Sequence, residues 1–421
     1  MGTLKSRVIS WIARRYMARK GGSGGLDLSS IGMLPDKVLV PLRRDGLDPI
    51  PELYKAGEPI RRLPLRFGLK AWLVTGHAEA KQILGAKHVS TDFANLVGQG
   101  ASTDSNPGGL GMADPPVHTR LRKLLTPEFT MRRLNRLTPR IHDIIEGQLD
   151  AMAKVDGPVD LVQEFALPIP SLVICELLGV PYDDRDDFQR LAMARFDLYG
   201  GAGASLGAIS ESLDYLLGVV EQQRKDPGDG LLGMIIKEHG DETSDLELAG
   251  LADGVLTGGF ETTASMLALG AVVLLSDPEA MRLVRDDDEA IGPFVEELLR
   301  YLTVVQVAFP RFVKQDMEIG GVTLSEGDVV IVSLSGADRD EALGENMNSV
   351  EPTRKPTSHL AFGYGIHRCI GAELAKMELR AAYPALVRRF PSMRLHVPAS
   401  ELAYRQTSIV YAVDTLPVVL S

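Results

Sequence analysis

Cysteine is almost missing from this chain of 421 residues, with only Cys175 and Cys369 present. Two thiols cannot build a disulfide framework, so a reducing compartment, the cytoplasm, is expected. Long apolar runs are missing as well. No uncharged apolar stretch reaches about 18 residues, and no transmembrane helix is expected. Positive charge is in deficit, with 45 Lys and Arg against 56 Asp and Glu and a net charge of −11. That balance argues against nucleic acid as a partner. No internal repeat is present. What remains is an apolar content of 45%, enough for a sizeable core.

The N-terminus departs from the average. Residues 1–20 carry Lys5, Arg7, Arg14, Arg15, Arg19 and Lys20 and no acid. Leu4, Val8, Trp11 and Ile12 share one helical face, so the segment either lies on an anionic membrane surface, docks a partner, or is a solvated tail. It is too polar for a secretory signal. Gly21 to Gly25 form a flexible linker. The domain reading is a basic amphipathic segment and linker over 1–25 and one unit over 26–421.

Within that unit helical periodicity dominates. Residues 26–60 read as an extended lead-in, and Leu63 to Thr75 carries a β-hairpin signal. His77 to Leu84 is a short helix, and 85–115 a long loop. Helices run from Pro116 to about Lys225, with Cys175 inside an apolar one and Gly200 to Ala204 as a mobile, gating connection. Asp245 to Leu275 reads as one or two helices and Asp287 to Leu302 as another. Val313 to Val332 reads as a β-hairpin region. A helix follows Cys369 to about Arg389, then strand-like segments at 393–397 and 408–419. Early and late strands interleave, which predicts a single intertwined domain, mainly α with small β-sheet regions.

The most informative run is Phe362-Gly363-Tyr364-Gly365-Ile366-His367-Arg368-Cys369-Ile370-Gly371. It sets one thiol in a glycine-rich loop running into a helix near Ala372. Unpaired N–H groups there, with His367 and Arg368, are expected to stabilise a thiolate. A lone thiolate argues against structural zinc and suits haem iron, which needs one axial ligand from the protein. The run resembles the haem-binding signature of the cytochrome P450 family, Phe-x-x-Gly-x-x-x-Cys-x-Gly. That resemblance implies haem b as cofactor, Cys369 as the metal ligand, Phe362, Gly363, His367 and Gly371 around it, and the cytochrome P450 fold. It is to the soluble bacterial type, actinobacterial in character, and covers roughly residues 60–421.

Two glycines inside the apolar helix around Leu256-Thr257-Gly258-Gly259-Phe260-Glu261-Thr262-Thr263 cost about 1 kcal/mol each against Ala. They suggest a kink or the close approach of a ligand. Thr262 is placed to hydrogen-bond the Gly258 carbonyl, and Glu261 is an acid on an apolar stretch. In isolation the stretch equally reads as a packing pair beside an exposed Glu. Beside the Cys369 loop it resembles the family's oxygen-binding helix, which implies Gly258 and Gly259 against the haem and Glu261 and Thr262 as the catalytic acid–alcohol pair.

Other motifs are weak alone and gain meaning from order. Glu297 and Arg300 lie three apart on one helix face, and with Arg354 resemble the family's structural triad beneath the haem. His118 and Arg122 share a helical face, and with Arg311, His359 and His367 resemble the family's propionate contacts. Arg120, Arg122, Lys123, Arg132, Arg133 and Arg136, near Arg368 and Lys376, form either a docking face for an acidic electron carrier or a solvated surface.

The resemblance implies a haem-thiolate monooxygenase. It would use O2 and take electrons from a separate acidic ferredoxin and its NAD(P)H-dependent reductase. Expected pocket walls are Phe93, Leu96, Val97, Leu256, Phe260, Val304, Val305 and Gln306. They are mostly apolar, which fits a hydrophobic small molecule such as a fatty acid, terpenoid, steroid or polyketide. Arg61, Arg62 or Arg405 are the cations that could meet a carboxylate. Three alternatives stay open: oxidative coupling on a large or carrier-bound substrate, a peroxide-driven enzyme, against which the Glu261-Thr262 pair speaks, and a non-catalytic haem-binding sensor or recruitment module.

Overall fold

The computed structural model describes residues 39–54, 57–64, 70–92, 109–180 and 202–421, with 202–210 by backbone alone. The basic segment and linker over 1–25, and Phe93, Leu96 and Val97, lie outside the described residues.

The main sheet is assembled from distant parts of the chain. Strand β1 (Ile60–Leu63) runs antiparallel to β2 (Ala71–Val74). Helix α1 (His77–Gly85) and strand β3 (Val89–Ser90) follow. Late in the chain come β5 (Arg311–Val313), the hairpin β6 (Met317–Ile319) with β7 (Val322–Leu324), and β8 (Val329–Val332). The order is β1-β2-β8-β5-β3, with β8 parallel to β2 through Val329 opposite Ala71. The expected hairpin over 313–332 is therefore confined to β6 and β7, and β8 instead closes the sheet onto the early strands. A smaller sheet joins β4 (Val159–Asp160), β9 (Arg394–Leu395) and β10 (Pro417–Val419). This interleaving makes one domain.

Helices α2 (Val117–Leu125), α3 (Thr138–Met152), α4 (Pro168–Leu178) and α5 (Ala202–Lys225) form much of the body. Helix starts at Ala202, so Gly203 and Ala204 belong to α5, while Gly200 and Gly201 lie outside the described residues. The body's axis is α6 (Asp245–Ser276), one uninterrupted helix of 32 residues. Ser244 caps it by accepting the Glu247 N–H at 3.2 Å, as its Ser-x-x-Glu sequence leads one to expect. Every residue from Thr263 to Leu274 is buried. The helix is long and apolar enough to cross a membrane, but 72% of its most apolar window is buried inside the fold, so it serves as the core helix.

Asp277 and Asp287 cap α7 (Pro278–Asp286) and α8 (Asp288–Leu302), each accepting from an N–H two residues on at 2.9 Å. Helix α9 (Ala372–Arg389) crosses α6 closely. Gly270 makes this approach feasible: a Cβ there would sit 2.0 Å from the Tyr383 hydroxyl, which donates to the Met266 carbonyl. One large apolar cluster runs through these helices and a second lies beneath the main sheet.

Candidate functional site

The Cys369 loop is tied back on itself before it enters α9. The Cys369 N–H donates to Phe362 O at 2.9 Å and the Gly363 N–H to Leu360 O at 2.7 Å. Gly365 has φ +74°, and a Cβ there would lie 2.3 Å from the Leu84 carbonyl oxygen, so glycine lets the loop rest on the end of α1. Cys369 has an open face. Burial among the surrounding protein nevertheless pushes its thiol pKa up, against the lowering pull of the Gly371 N–H, Arg368 and Arg122. The thiolate expected from loop and helix terminus is thus not stabilised by the protein alone. A bound metal cation would supply the missing charge.

Around the thiol the side chains form a cationic shelf. Arg122 carries a lowered pKa from burial, raised in part by Cys369. Arg311 is buried and lowered to about 10 by desolvation. The rings of His118 and His367 lie 4.4 Å apart. Burial, with Arg311, holds His367 down to about 4, and burial, with Arg122, lowers His118, so both are neutral at pH 7. His118 Nε2 and His367 Nδ1 are buried and meet no hydrogen-bond partner among the described residues. The acid beside this shelf, Asp114, accepts from Ser90 at 2.6 Å and from the Thr91 N–H at 3.1 Å, and Lys314 approaches it at 3.2 Å.

Desolvated cations and orphaned imidazole nitrogens of this kind fit the two carboxylates of haem b. Met112, Phe309 and Ile366 are each about half exposed, an unusual state for large apolar side chains that a flat apolar macrocycle would relieve. A Cβ at Gly258 would meet no atom within 4 Å. The donor set and the surfaces suit the group.

On α6 the Thr262 hydroxyl donates to Gly258 O at 2.8 Å. Its one proton is thus committed, and its lone pairs remain as acceptors. Glu261 is pushed up to about 7 by burial, opposed by Arg405, whose Nη1 lies 3.2 Å from Oε1. Arg405, considered above as a carboxylate-binding cation, is engaged here and with Asp414. The other two, Arg61 and Arg62, sit on β1.

Glu297, Arg300 and Arg354 meet. Both Glu297 oxygens accept from Arg300 at 2.8 Å, and Oε1 also accepts from Arg354 Nε at 3.0 Å. His359 does not join the propionate group. Its Nε2 lies 3.2 Å from Glu296, in a cluster with Lys376 and Arg380. Long-range acids recruit it, and nothing local in its sequence names them.

Several expected pocket walls face the wrong way. Leu256 and Phe260 are buried in the main core, whereas Gly254, Thr257 and Gly258 are the exposed positions beside them on the same helix, one turn apart along one face. Beyond α8 the chain is extended. Val304 and Gln306 turn inward, while Val305, Val307 and Phe309 turn outward. Gln306 is wholly buried, accepting from Arg44 Nε at 2.8 Å and donating to Ser408 O at 2.7 Å. Val307, half-buried, and Thr257, exposed, are open positions that sequence reasoning missed, and the period-two alternation of 304–307 is the signal that could have found Val307.

The basic face is partly self-neutralised. Arg120 pairs with Glu247, and Arg133 and Arg136 with Glu128. Lys123 and Arg132 are exposed.

Comparison with known proteins fits these features. The family model described as cytochrome P450 matches residues 209–398. Cytochrome P450 165B3 of Amycolatopsis orientalis is 38% identical over 389 residues, 90% of this chain and 97% of that one. The vitamin D3 dihydroxylase of Streptomyces griseolus is 36% identical over 367 residues, 86% and 90% of the two chains. A solved structure of OxyC, a cytochrome P450 implicated in an oxidative C–C coupling reaction during vancomycin biosynthesis, superposes with a TM-score of 0.82. It is 37% identical, with 91% of this chain and 97% of that one covered.

Proposed function

Because the chain belongs to the cytochrome P450 family of haem b oxygenases, we propose that it inserts one oxygen atom from O2 into a C–H bond of a hydrophobic small molecule. The observation that carries this reading is the single thiol of Cys369 set among Arg122, Arg311, Arg368 and two histidines, each with one buried ring nitrogen that meets no partner among the described residues.

Cys369 would hold the iron, and Arg122, Arg311, His118 and His367 would receive the propionates. When bound, haem b supplies reductive activation of O2. The chain's own residues do the rest. Thr262, its proton given to Gly258 O, accepts a hydrogen bond and orients the donor that offers it. Glu261, held near neutrality, takes up a proton at its carboxylate and passes it on. Val305, Val307, Ala308 and Phe309 offer an apolar surface that orients substrate and excludes water. Lys123, Arg132 and Arg368 remain exposed to meet an acidic ferredoxin, itself reduced by an NAD(P)H-dependent reductase.

A second reading, oxidative coupling on a large or carrier-bound substrate, draws support from the likeness to OxyC. It uses the same haem-holding residues and differs in what enters the pocket.

The first test is the carbon-monoxide difference spectrum of the reduced protein beside Cys369→Ala. A red-shifted thiolate-type band, lost in the variant, is expected; an imidazole or neutral-thiol band would overturn the assignment. The second is turnover with a surrogate ferredoxin. Thr262→Ala should still consume reductant and release more peroxide than product. Unchanged coupling would remove Thr262 from the mechanism, and no turnover at all would favour a sensor.

A further inference from the structure

We propose that Arg405 is a positioning residue that divides its guanidinium between Glu261 and Asp414, and thereby sets when Glu261 can load a proton. This rests on the reading of Glu261 as the proton donor and adds the residue that governs it.

The geometry is asymmetric. Arg405 Nη1 donates one bond to Glu261 Oε1 at 3.2 Å, while Nε and Nη2 grip Asp414 Oδ1 at 2.9 and 2.8 Å. The Glu261 and Arg405 side chains are 20% and 13% exposed and Asp414 is 52% exposed, so the guanidinium spans from interior to surface. Arginine stays protonated and cannot itself carry the proton. It acts by choosing a partner. When it sits wholly with Asp414, Glu261 is left buried without a counter-charge and binds a proton from solvent. When it returns, the carboxylate is favoured and the proton moves on.

Backbone connections make such movement reasonable. The Arg405 N–H donates to Ala412 O and the Asp414 N–H to Ala403 O, both at 2.9 Å, so Arg405 and Asp414 ride on one hairpin. Glu261 sits on α6. Displacement of the hairpin therefore changes the Glu261 bond and preserves the Asp414 bonds. The same hairpin is tied to the pocket-lining segment, with the Gln306 N–H donating to Ile409 O at 2.9 Å and the Tyr411 N–H to Val304 O at 2.7 Å. Filling the pocket is thereby linked to the charge on Glu261.

Other titratable groups nearby are committed elsewhere. On α6 itself, Asp253 accepts from Ser212 of α5. On α4, Glu176 accepts from Arg140 of α3. Tyr404 and Tyr411 of the hairpin stack on each other with centroids 5.9 Å apart. Among the described residues, burial and Arg405 are what act on Glu261.

The test is a pH titration of the holoenzyme by difference infrared spectroscopy, following the protonated-carboxyl stretch that Glu261→Gln abolishes. Arg405→Met should raise the Glu261 midpoint by about one pH unit or more, the usual effect of removing an adjacent opposite charge. Asp414→Asn should lower it by shifting Arg405 toward Glu261. Asp414→Asn added to Arg405→Met should do nothing further, since Asp414 acts through Arg405. Coupling of reductant to product should follow pH with the same displacements. Midpoints unmoved in Arg405→Met, or an equal Asp414→Asn shift with and without Arg405, would overturn the proposal. Should Arg405→Met fail to fold, Arg405→Lys replaces it, with a smaller rise expected and no rise overturning the idea. If Glu261→Gln leaves coupling unchanged, the proton-donor reading fails on its own, while the infrared midpoints still decide whether Arg405 governs Glu261.

Discussion

Replacing Glu297 by Gln tests whether one carboxylate holds the region beneath the Cys369 loop. Glu297 accepts four bonds: two from Arg300 at 2.8 Å, one from Arg354 and one from the Glu351 N–H at 3.0 Å. Arg300 is almost wholly buried, and its other donors reach the carbonyls of Asp338, Met347 and Ser349. Burial alone would raise the Glu297 pKa, but Arg300, the Glu351 N–H and Arg354 together outweigh it and hold the carboxyl below the usual range. Gln keeps the shape and one acceptor oxygen, then points an N–H2 at a guanidinium and leaves Arg300 without a counter-ion. Breaking a buried pair in this way costs about 3–5 kcal/mol. The carbonyl partners of Arg300 persist, so the lower end applies. At a urea dependence of about 3 kcal/mol/M the midpoint falls by roughly 1 M. Urea unfolding followed by far-UV circular dichroism and by Soret absorbance measures it. A loss below about 1 kcal/mol, with the Soret band intact, would refute the view that the charge on Glu297 is what organises both arginines.

Glu378 is fully buried, its Oε2 meets no partner among the described residues, and burial raises its pKa from 4.5 to about 8. Between those values the unfolded chain is ionised and the folded one is not, so stability falls as pH rises, by roughly 3 kcal/mol at pH 7; Glu378→Gln should flatten the pH dependence of the urea midpoint over that window. Phe260→Ala should cost about 3–5 kcal/mol of stability, as a core deletion does, and leave the substrate-induced spin-state shift in place, whereas Val307→Phe should abolish that shift at little cost in stability. Gly365→Ala, at φ +74° and against the Leu84 carbonyl, should lower the haem-to-protein ratio on purification, with backbone strain of about 1–3 kcal/mol.

Local chemistry was the legible part. The Cys369 loop, the Thr262 bond to Gly258 and the Glu297–Arg300 step each depend on residues within a few positions of one another, and sequence spacing reports such relations directly. The interleaved sheet was also foreseeable, because β-character recurs on both sides of the helical run. Facing was harder. Helix α6 is apolar almost all round, so its pattern does not say which side Leu256 and Phe260 take. Residues 304–306 stand as one block in the sequence, although an extended chain sends Val304 and Gln306 one way and Val305 the other. Partners far apart in sequence were invisible. His359 meets Glu296 across 63 positions and Glu261 meets Arg405 across 144. The Cys369 thiol shows a further gap, since helix terminus and neighbouring cations suggest ionisation, while the desolvation that overrides them depends on packing.

The parallel pairing of β8 with β2 has a consequence for how this molecule is made. Val329 is synthesised about 250 residues after Ala71, the residue it pairs with, a delay of roughly 15–50 s at ordinary translation speed. Until then β2 has its antiparallel neighbour β1 and an unpaired edge, which in a nascent chain invites association with other chains. The Cys369 loop emerges later still. Cofactor capture and closure of the main sheet are therefore late events for this chain, and the yield of loaded protein should respond more to chaperones and to slowed synthesis than to the supply of haem alone.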